Sequence, residues 1–211
     1  TAHLSAQLDS QILYKNAEIT FNINQIIAAA AVFKNSVDTN HALPSNVLVG
    51  GKTVTTPQFL ELMVNAVIQL NKGLPTTTTI GLGTFNGATN PKESIVAGSM
   101  GKAEYVSLAQ AIENYMTSSR RAPDYAYQTS LGTYMRYETL TYLYSTVLTN
   151  YTTSLPATVQ IKPWTKIINP QVSFTLQQVV DAAFVFKNDV DTNHALPSGV
   201  VVGGKTVTTP Q

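Results

Sequence analysis

Cysteine is absent from the 211-residue chain, which excludes disulfides, thiolate metal sites and a cysteine nucleophile together. Charge is scarce too. Charged residues make up 12 % of the sequence and the formal net charge is +1, against a usual charged share of about 25 %. That balance leaves no electrostatic footprint for nucleic acid or an anionic membrane. No apolar run approaches the ~20 residues of a membrane-spanning helix. The chain opens at Thr1 without a signal-peptide pattern, and so reads as an interior piece of a longer protein. Also missing are G-x-S-x-G, H-E-x-x-H, phosphate-loop and dinucleotide-binding fingerprints. No catalytic constellation and no cofactor is expected. What remains is a hydrophobic content of 44 %, enough for a core without staples. The composition is rich in Thr, Asn and Tyr and fits an extracellular protein better than a cytosolic enzyme.

The strongest positive signal is internal repetition, which comes before any other reading. Residues 33–58 read FKNSVDTNHALPSNVLVGGKTVTTPQ and residues 186–211 read FKNDVDTNHALPSGVVVGGKTVTTPQ. They differ at three positions, Ser36/Asp189, Asn46/Gly199 and Leu48/Val201, and the offset from His41 to His194 is 153 residues. At the same offset Ser5–Leu8 falls on Thr158–Ile161, and both are expected as short strands.

Asn22 to Val37 carries the stripe of an amphipathic helix in Ile23, Ile26, Ile27, Ala30, Phe33 and Val37. Asn22 and Gln25 have the spacing of a capping box, as do Thr175 and Gln178, and Phe21 and Phe174 are placed to staple onto Ile26 and Val179. Polar residues and Pro44 end the helix. Gly50-Gly51 between β-branched runs predicts a two-residue hairpin turn with positive φ. Thr56 is expected to cap a second helix with Pro57 at its first position, and Phe59, Leu62, Met63, Ala66, Val67 and Leu70 form its stripe. The unit is helix, hairpin, helix. Residues 101–155 repeat it in degenerate form: Tyr105, Leu108, Ile112, Tyr115 and Met116 line one helix, and Leu140, Leu143, Tyr144, Val147, Leu148 and Tyr151 the other. Arg120–Pro123 then replaces His41–Pro44. The expected fold is α-rich α+β, with tandem helix–β-hairpin–helix repeats packed side by side. Residues 1–75 make a first repeat with a lead-in strand and 76–100 a connection. Residues 101–164 make the degenerate second repeat, and 165–211 a third that lacks its second helix. The apolar face of that third copy (Val179, Ala182, Ala183, Phe186) requires a neighbouring repeat or another chain to cover it.

The phrase ALPSNVLVGGKTVTTPQFLELM, Ala42 to Met63, resembles the pseudomurein-binding repeat. The resembling features are Leu43-Pro44, Gly50-Gly51-Lys52, and Thr56-Pro57-Gln58-Phe59-Leu60 opening an apolar helix. That family occurs in surface proteins of methanogenic archaea and in phage endoisopeptidases that lyse their walls. The resemblance implies noncovalent attachment to pseudomurein, glycan and peptide, at the cell wall or cell surface. Two competing readings are a structural stalk or coat segment without a ligand, and the wall-targeting part of an endoisopeptidase. The peptidase of that family is a separate cysteine-dependent domain, so it does not lie within these cysteine-free residues.

Candidate binding residues are polar groups kept between copies: Asn40, His41, Ser45 and Lys52, matched by Asn193, His194, Ser198 and Lys205. They are expected to cluster where the first helix meets the hairpin, offering amide, hydroxyl and cationic groups to a sugar acid. A second reading of His41 and His194 is that the imidazole caps the carbonyls of the preceding helix. Arg120 stands at the His41 position of the degenerate copy, where Tyr125 and Tyr127 could present rings to a sugar or simply pack. Asp189-Val190-Asp191-Thr192-Asn193 has the spacing that opens a calcium loop. However, His194 and Val200 stand where such a loop requires glycine and a bidentate glutamate, so a solvated helix end is the better reading and no metal is expected.

Overall fold

The computed structural model describes residues 19–170 and 172–209; the expected strand over Ser5–Leu8 lies outside them. The chain divides into two compact units, with the break after Asn169.

The first unit begins with strand β1 (Thr20–Asn22) and helix α1 (Ile23–Asn40). The helix starts where its sequence says. The Asn22 side chain accepts from the Gln25 amide at 2.9 Å and the Gln25 side chain accepts from the Asn22 amide at 2.9 Å, which satisfies two donors of the first turn reciprocally. Phe21 and Ile26 on either side of this box are buried. The hairpin follows as β2 (Asn46–Val49) and β3 (Lys52–Thr55), in register Val49↔Lys52 to Asn46↔Thr55. Helix α2 (Thr56–Asn71) is capped by Thr55 and not, as expected, by Thr56. Thr56 instead sits in the first turn and donates its hydroxyl to the Pro44 carbonyl, while Pro57 comes one position later than expected. The shift of one residue has a physical origin: Thr55 is the last residue of β3 still in extended geometry, and its hydroxyl and Gln58 complete a second capping box.

Helix α2 differs from its expected one-sided stripe. Leu60, Val64 and Ile68 are buried as well as the stripe residues, and so are Glu61 and Asn65. A helix apolar nearly all round is a central helix. Around it lie α1, α3 (Lys102–Ser119) and α4 (Tyr137–Thr149), with α1 also packed on α4. The first helix of each repeat therefore has the second helix of the other repeat among its main partners, so the two repeats share one core.

Residues 76–100 are not a simple connection. They contain β4 (Thr79–Gly81), antiparallel to β1, and β5 (Gly98–Gly101), antiparallel to β8 (Thr158–Ile161). The repeating unit is thus strand–helix–hairpin–helix–strand, with its outer strands paired. Between β4 and β5 the chain is tied down at several points. Asn86 exchanges backbone hydrogen bonds with Arg120 and Ala122, and the Glu93 carboxylate accepts from the Thr139 hydroxyl and, at 2.8 Å, from the Trp164 amide. In the second repeat the hairpin is β6 (Tyr125–Thr129) and β7 (Gly132–Arg136), each arm one residue longer than in the first. Short helix α5 (Trp164–Ile168) closes the first unit, so the boundary falls after Asn169 and not at 164. Tyr115, expected in the core stripe of α3, is 37 % exposed.

The second unit holds α6 (Leu176–Asn193), capped by Thr175 and Gln178 as expected, and a hairpin of β9 (Gly199–Val202) and β10 (Lys205–Thr208).

Both glycine pairs have positive φ, at 53° and 83° for Gly50 and Gly51 and 53° and 80° for Gly203 and Gly204, as a type I′ hairpin requires. The two positions are not equivalent. A Cβ on Gly50 would lie 2.5 Å from Nε2 of the capping residue Gln25, whereas one on Gly51 would meet nothing within 4 Å. Gly51→Val is expected to cost about 1–2 kcal/mol through left-handed strain alone. Gly50→Val is expected to cost about 1 kcal/mol more by displacing the cap. Urea unfolding of the two variants checks the order, and equal midpoints contradict it.

Candidate functional site

Helix α1 ends at His41, whose backbone is left-handed (φ 53°, ψ 36°) and whose amide bonds the Val37 carbonyl at 2.9 Å. Arg120 ends α3 in the same way (φ 53°, ψ 32°, amide to Met116 O at 2.8 Å), and His194 ends α6 likewise (φ 52°, ψ 30°, amide to Val190 O at 2.8 Å). The cap is therefore made by the backbone, which corrects the expectation that the imidazole would do it. All three side chains are exposed. Glycine is the residue that such a C-terminal position favours, because a Cβ there costs about 1–2 kcal/mol. Each of the three repeats instead places a nitrogen-bearing side chain on it.

The remaining polar candidates do not converge on this point. Asn40, at the end of α1, donates to Ser36 Oγ at 3.1 Å, and Asn193 donates to Asp189 at 2.6 Å. Asp191 pairs with Lys187, so both carboxylates of the calcium-like stretch are engaged along their own helix. Ser45 and Ser198 lie at the base of their hairpins, where their carbonyls accept from Thr56 and Thr209 at 3.0 and 3.1 Å. Lys52 and Lys205 lie at the tips, opposite Val49 and Val202. A four-residue strand separates base from tip by about 13 Å. The tip meets Gln25, at the start of α1. The expected cluster at the helix–hairpin junction is therefore corrected to a line of exposed groups along the repeat: the hairpin runs back beside its helix, which carries the lysine away from the histidine.

Tyr125 and Tyr127, by contrast, are brought together. They stand two residues apart on β6, on the face opposite buried Ala126, and Tyr134 from β7 joins them. Its ring lies 4.8 Å from that of Tyr125, edge-on, and 5.6 Å from that of Tyr127. Tyr127 is 60 % exposed. Tyr125 and Tyr127 line a cleft of about 340 Å³ together with Leu108 and Tyr115 from α3 and with Pro123 and Asp124. Arg120, the cap of α3, follows Tyr115 by five residues, about 7.5 Å along the helix axis. Leu108 and Tyr115, which line the cleft, and Tyr134, which packs on the two tyrosines, were not anticipated as site residues. A signal was present in the helical periodicity, because at about 100° per residue Leu108 and Tyr115 sit some 60–80° to one side of Tyr105, at the margin of the stripe.

Asp124, which lines the cleft, is held in place by several hydrogen bonds. Its carboxylate accepts from the amides of Thr89 at 2.7 Å and Asn90 at 3.0 Å and from Arg121 at 2.7 Å. Burial alone would raise this carboxyl, but the two amides and the guanidinium outweigh it and hold it below its ordinary value. Arg121 also donates to Thr89 Oγ1 at 2.9 Å. Of the Arg120-Arg121 pair, one side chain is therefore structural and the other exposed.

Among the described residues no group of His, Cys, Asp and Glu has the arrangement of a metal site, and no helix is long and apolar enough to cross a membrane. Comparison with family models, with curated proteins and with solved structures finds no match to this chain.

Proposed function

We propose that the chain is a noncovalent binding module for the archaeal cell-wall polymer pseudomurein, acting outside the cell to anchor or target a larger protein. The observation that carries this reading is the left-handed cap. Three repeats hold His41, Arg120 and His194 in a backbone state that favours glycine, with the side chains exposed. Non-glycine residues in such a backbone state cluster at ligand-contact positions, which supports a contact role for these three. Imidazole and guanidinium suit the carboxylate and hydroxyls of a sugar acid and the acidic groups of a wall peptide. The tyrosine cleft adds a surface on which a sugar ring can stack while the phenol hydroxyls reach its polar rim. Its volume lies within the range of about 300–1,000 Å³ typical of ligand sites. The resemblance of Ala42–Met63 to the pseudomurein-binding repeat supplies the identity of the polymer.

Tandem copies on a repeating polymer act by avidity: linked weak sites gain about 10²–10⁴ in apparent affinity when their spacing suits the ligand. The chain is expected to co-sediment with isolated pseudomurein sacculi and to stay in the supernatant with bacterial murein. A structural stalk would remain in the supernatant with both. Changing Tyr125 and Tyr127 together to Ala should weaken binding by about tenfold, the equivalent of 1.4 kcal/mol. Unchanged binding by the folded variant would remove the cleft from the site.

A further inference from the structure

Helix α6 carries the packing face of α1 without its cover. The positions buried on α1 are Ile23, Ile26, Ala29, Ala30, Phe33 and Val37; on α6 the same positions are Leu176, Val179, Ala182, Ala183, Phe186 and Val190. Every one of them stays apolar, yet of these only Ala182 is buried, and Leu176 and Val179 are 81 % and 48 % exposed. The hairpin repeats the contrast. Val54 is 1 % exposed, and its counterpart Val207 is 39 % exposed. Upstream of the near-identical stretch that begins at Phe33 and Phe186, the face stays apolar while positions off it differ, as at Ala28/Asp181 and Ala31/Phe184.

A polar device is retained with the face. In the first unit Lys34 pairs with Asp38 at 2.6 Å, and Tyr142 of α4 donates its hydroxyl to Asp38 Oδ1 at 2.6 Å. The Lys34 ammonium lies 5.2 Å from the centre of the Tyr142 ring, within cation–π range. Lys187 and Asp191 reproduce the ion pair on α6, with side chains 70 % and 59 % exposed against 26 % and 42 % for Lys34 and Asp38. An exposed ion pair of this kind adds little to folding. The pair falls within the near-identical stretch, so it is the uncovered apolar face, with this pair beside it, that points to a partner.

We propose that α6 and its hairpin are a docking element for another repeat of this same kind, one that presents an α2-type and an α4-type helix to the apolar face and a tyrosine to the Lys187–Asp191 pair. The first unit shows the arrangement: α2 and α4 cover α1, Phe59 of α2 lies 5.5 Å from Phe33 ring to ring, and Tyr142 of α4 closes the pair. This chain's own α2 and α4 are already occupied by α1, so the occupant is a further repeat.

The register of the two copies provides the test, because Gln211 corresponds to Gln58. A chain in which a second copy of residues 59–169 follows Gln211 would give α6 the sequence context of α1. Amide hydrogen exchange in α6 is expected to slow by about 100-fold or more relative to the 211-residue chain, as an open element becomes part of a cooperative core. Asp191→Asn and Tyr→Phe at the added counterpart of Tyr142 should each reduce that protection, and the double variant should lose no more than either alone. Exchange in α6 as fast as in the parent overturns the proposal, whether or not the added helices fold. So does concentration-dependent dimerisation of the parent chain that by itself protects α6, since the face would then be made for a second copy of itself.

Discussion

Phe33→Ala is expected to destabilise the first unit by about 3–5 kcal/mol, while Phe186→Ala, the same change within a stretch that differs at only three of its positions, should cost under about 1 kcal/mol. Phe33 is 2 % exposed and its ring lies 5.5 Å from that of Phe59. Removing it leaves a cavity between α1 and α2 that neither helix can close, because both are held by α4 as well. Phe186 stands on a face with little cover, so truncation there removes few contacts and even gains a few tenths of a kcal/mol of helix propensity. Trp164 is the single tryptophan of the chain and is buried in the first unit, so its fluorescence during urea unfolding reads the first variant. Far-UV circular dichroism reads the second. A Phe186→Ala cost as large as that of Phe33→Ala would mean that α6 is already covered.

This pair of residues also shows how far the sequence alone could be read. Helix starts were legible because Asn22/Gln25 and Thr175/Gln178 write the same capping device in different residues, and the hairpin turns because two adjacent glycines leave few alternatives. The α-rich α+β class followed from these. The full burial of α2 was written in Leu60, Val64 and Ile68 but was masked by a stripe reading that assumes one wet face. Of the outer strands only β8 (Thr158–Ile161) was legible, and its pairing was not. β4 and β5 are three or four residues long and rich in Thr and Gly, and their partners β1 and β8 lie about 60 residues away, so local periodicity holds no trace of the pairing. The arrangement of the candidate residues was not legible. Ser45 and Lys52 look adjacent along the chain, but an extended strand moves the lysine to the hairpin tip, while the turn at Ser130-Leu131 brings Tyr134 onto Tyr125 and Tyr127. Nothing in the sequence of His41 announces a positive φ. Only the backbone reveals that Arg120, a different residue, is held in the same state.

That shared state sets the second large effect. Changing His41, Arg120 and His194 together to Gly is expected to stabilise the fold by up to about 1–2 kcal/mol for each cap, since left-handed strain is relieved and the capping amide is kept. Glycine's larger entropy in the unfolded chain offsets part of this, by roughly 0.5–1 kcal/mol per site. The same three changes remove the nitrogen-bearing side chains proposed to meet the wall, one from each repeat. With the sites linked, losing all three should lower apparent wall affinity by about 10²–10⁴, the whole of the avidity gain. Stability and binding therefore move in opposite directions, an outcome that a purely structural role for these residues does not produce.

The most direct measurement is a binding isotherm of the parent and the triple-glycine variant on isolated pseudomurein sacculi, taken alongside their thermal unfolding. Saturable sedimentation of the parent is expected, with a variant that melts at the same or a higher temperature yet stays in the supernatant at concentrations that saturate the parent. A stable variant that sediments with the parent's isotherm, or a parent that does not sediment at all, would contradict wall binding through the caps.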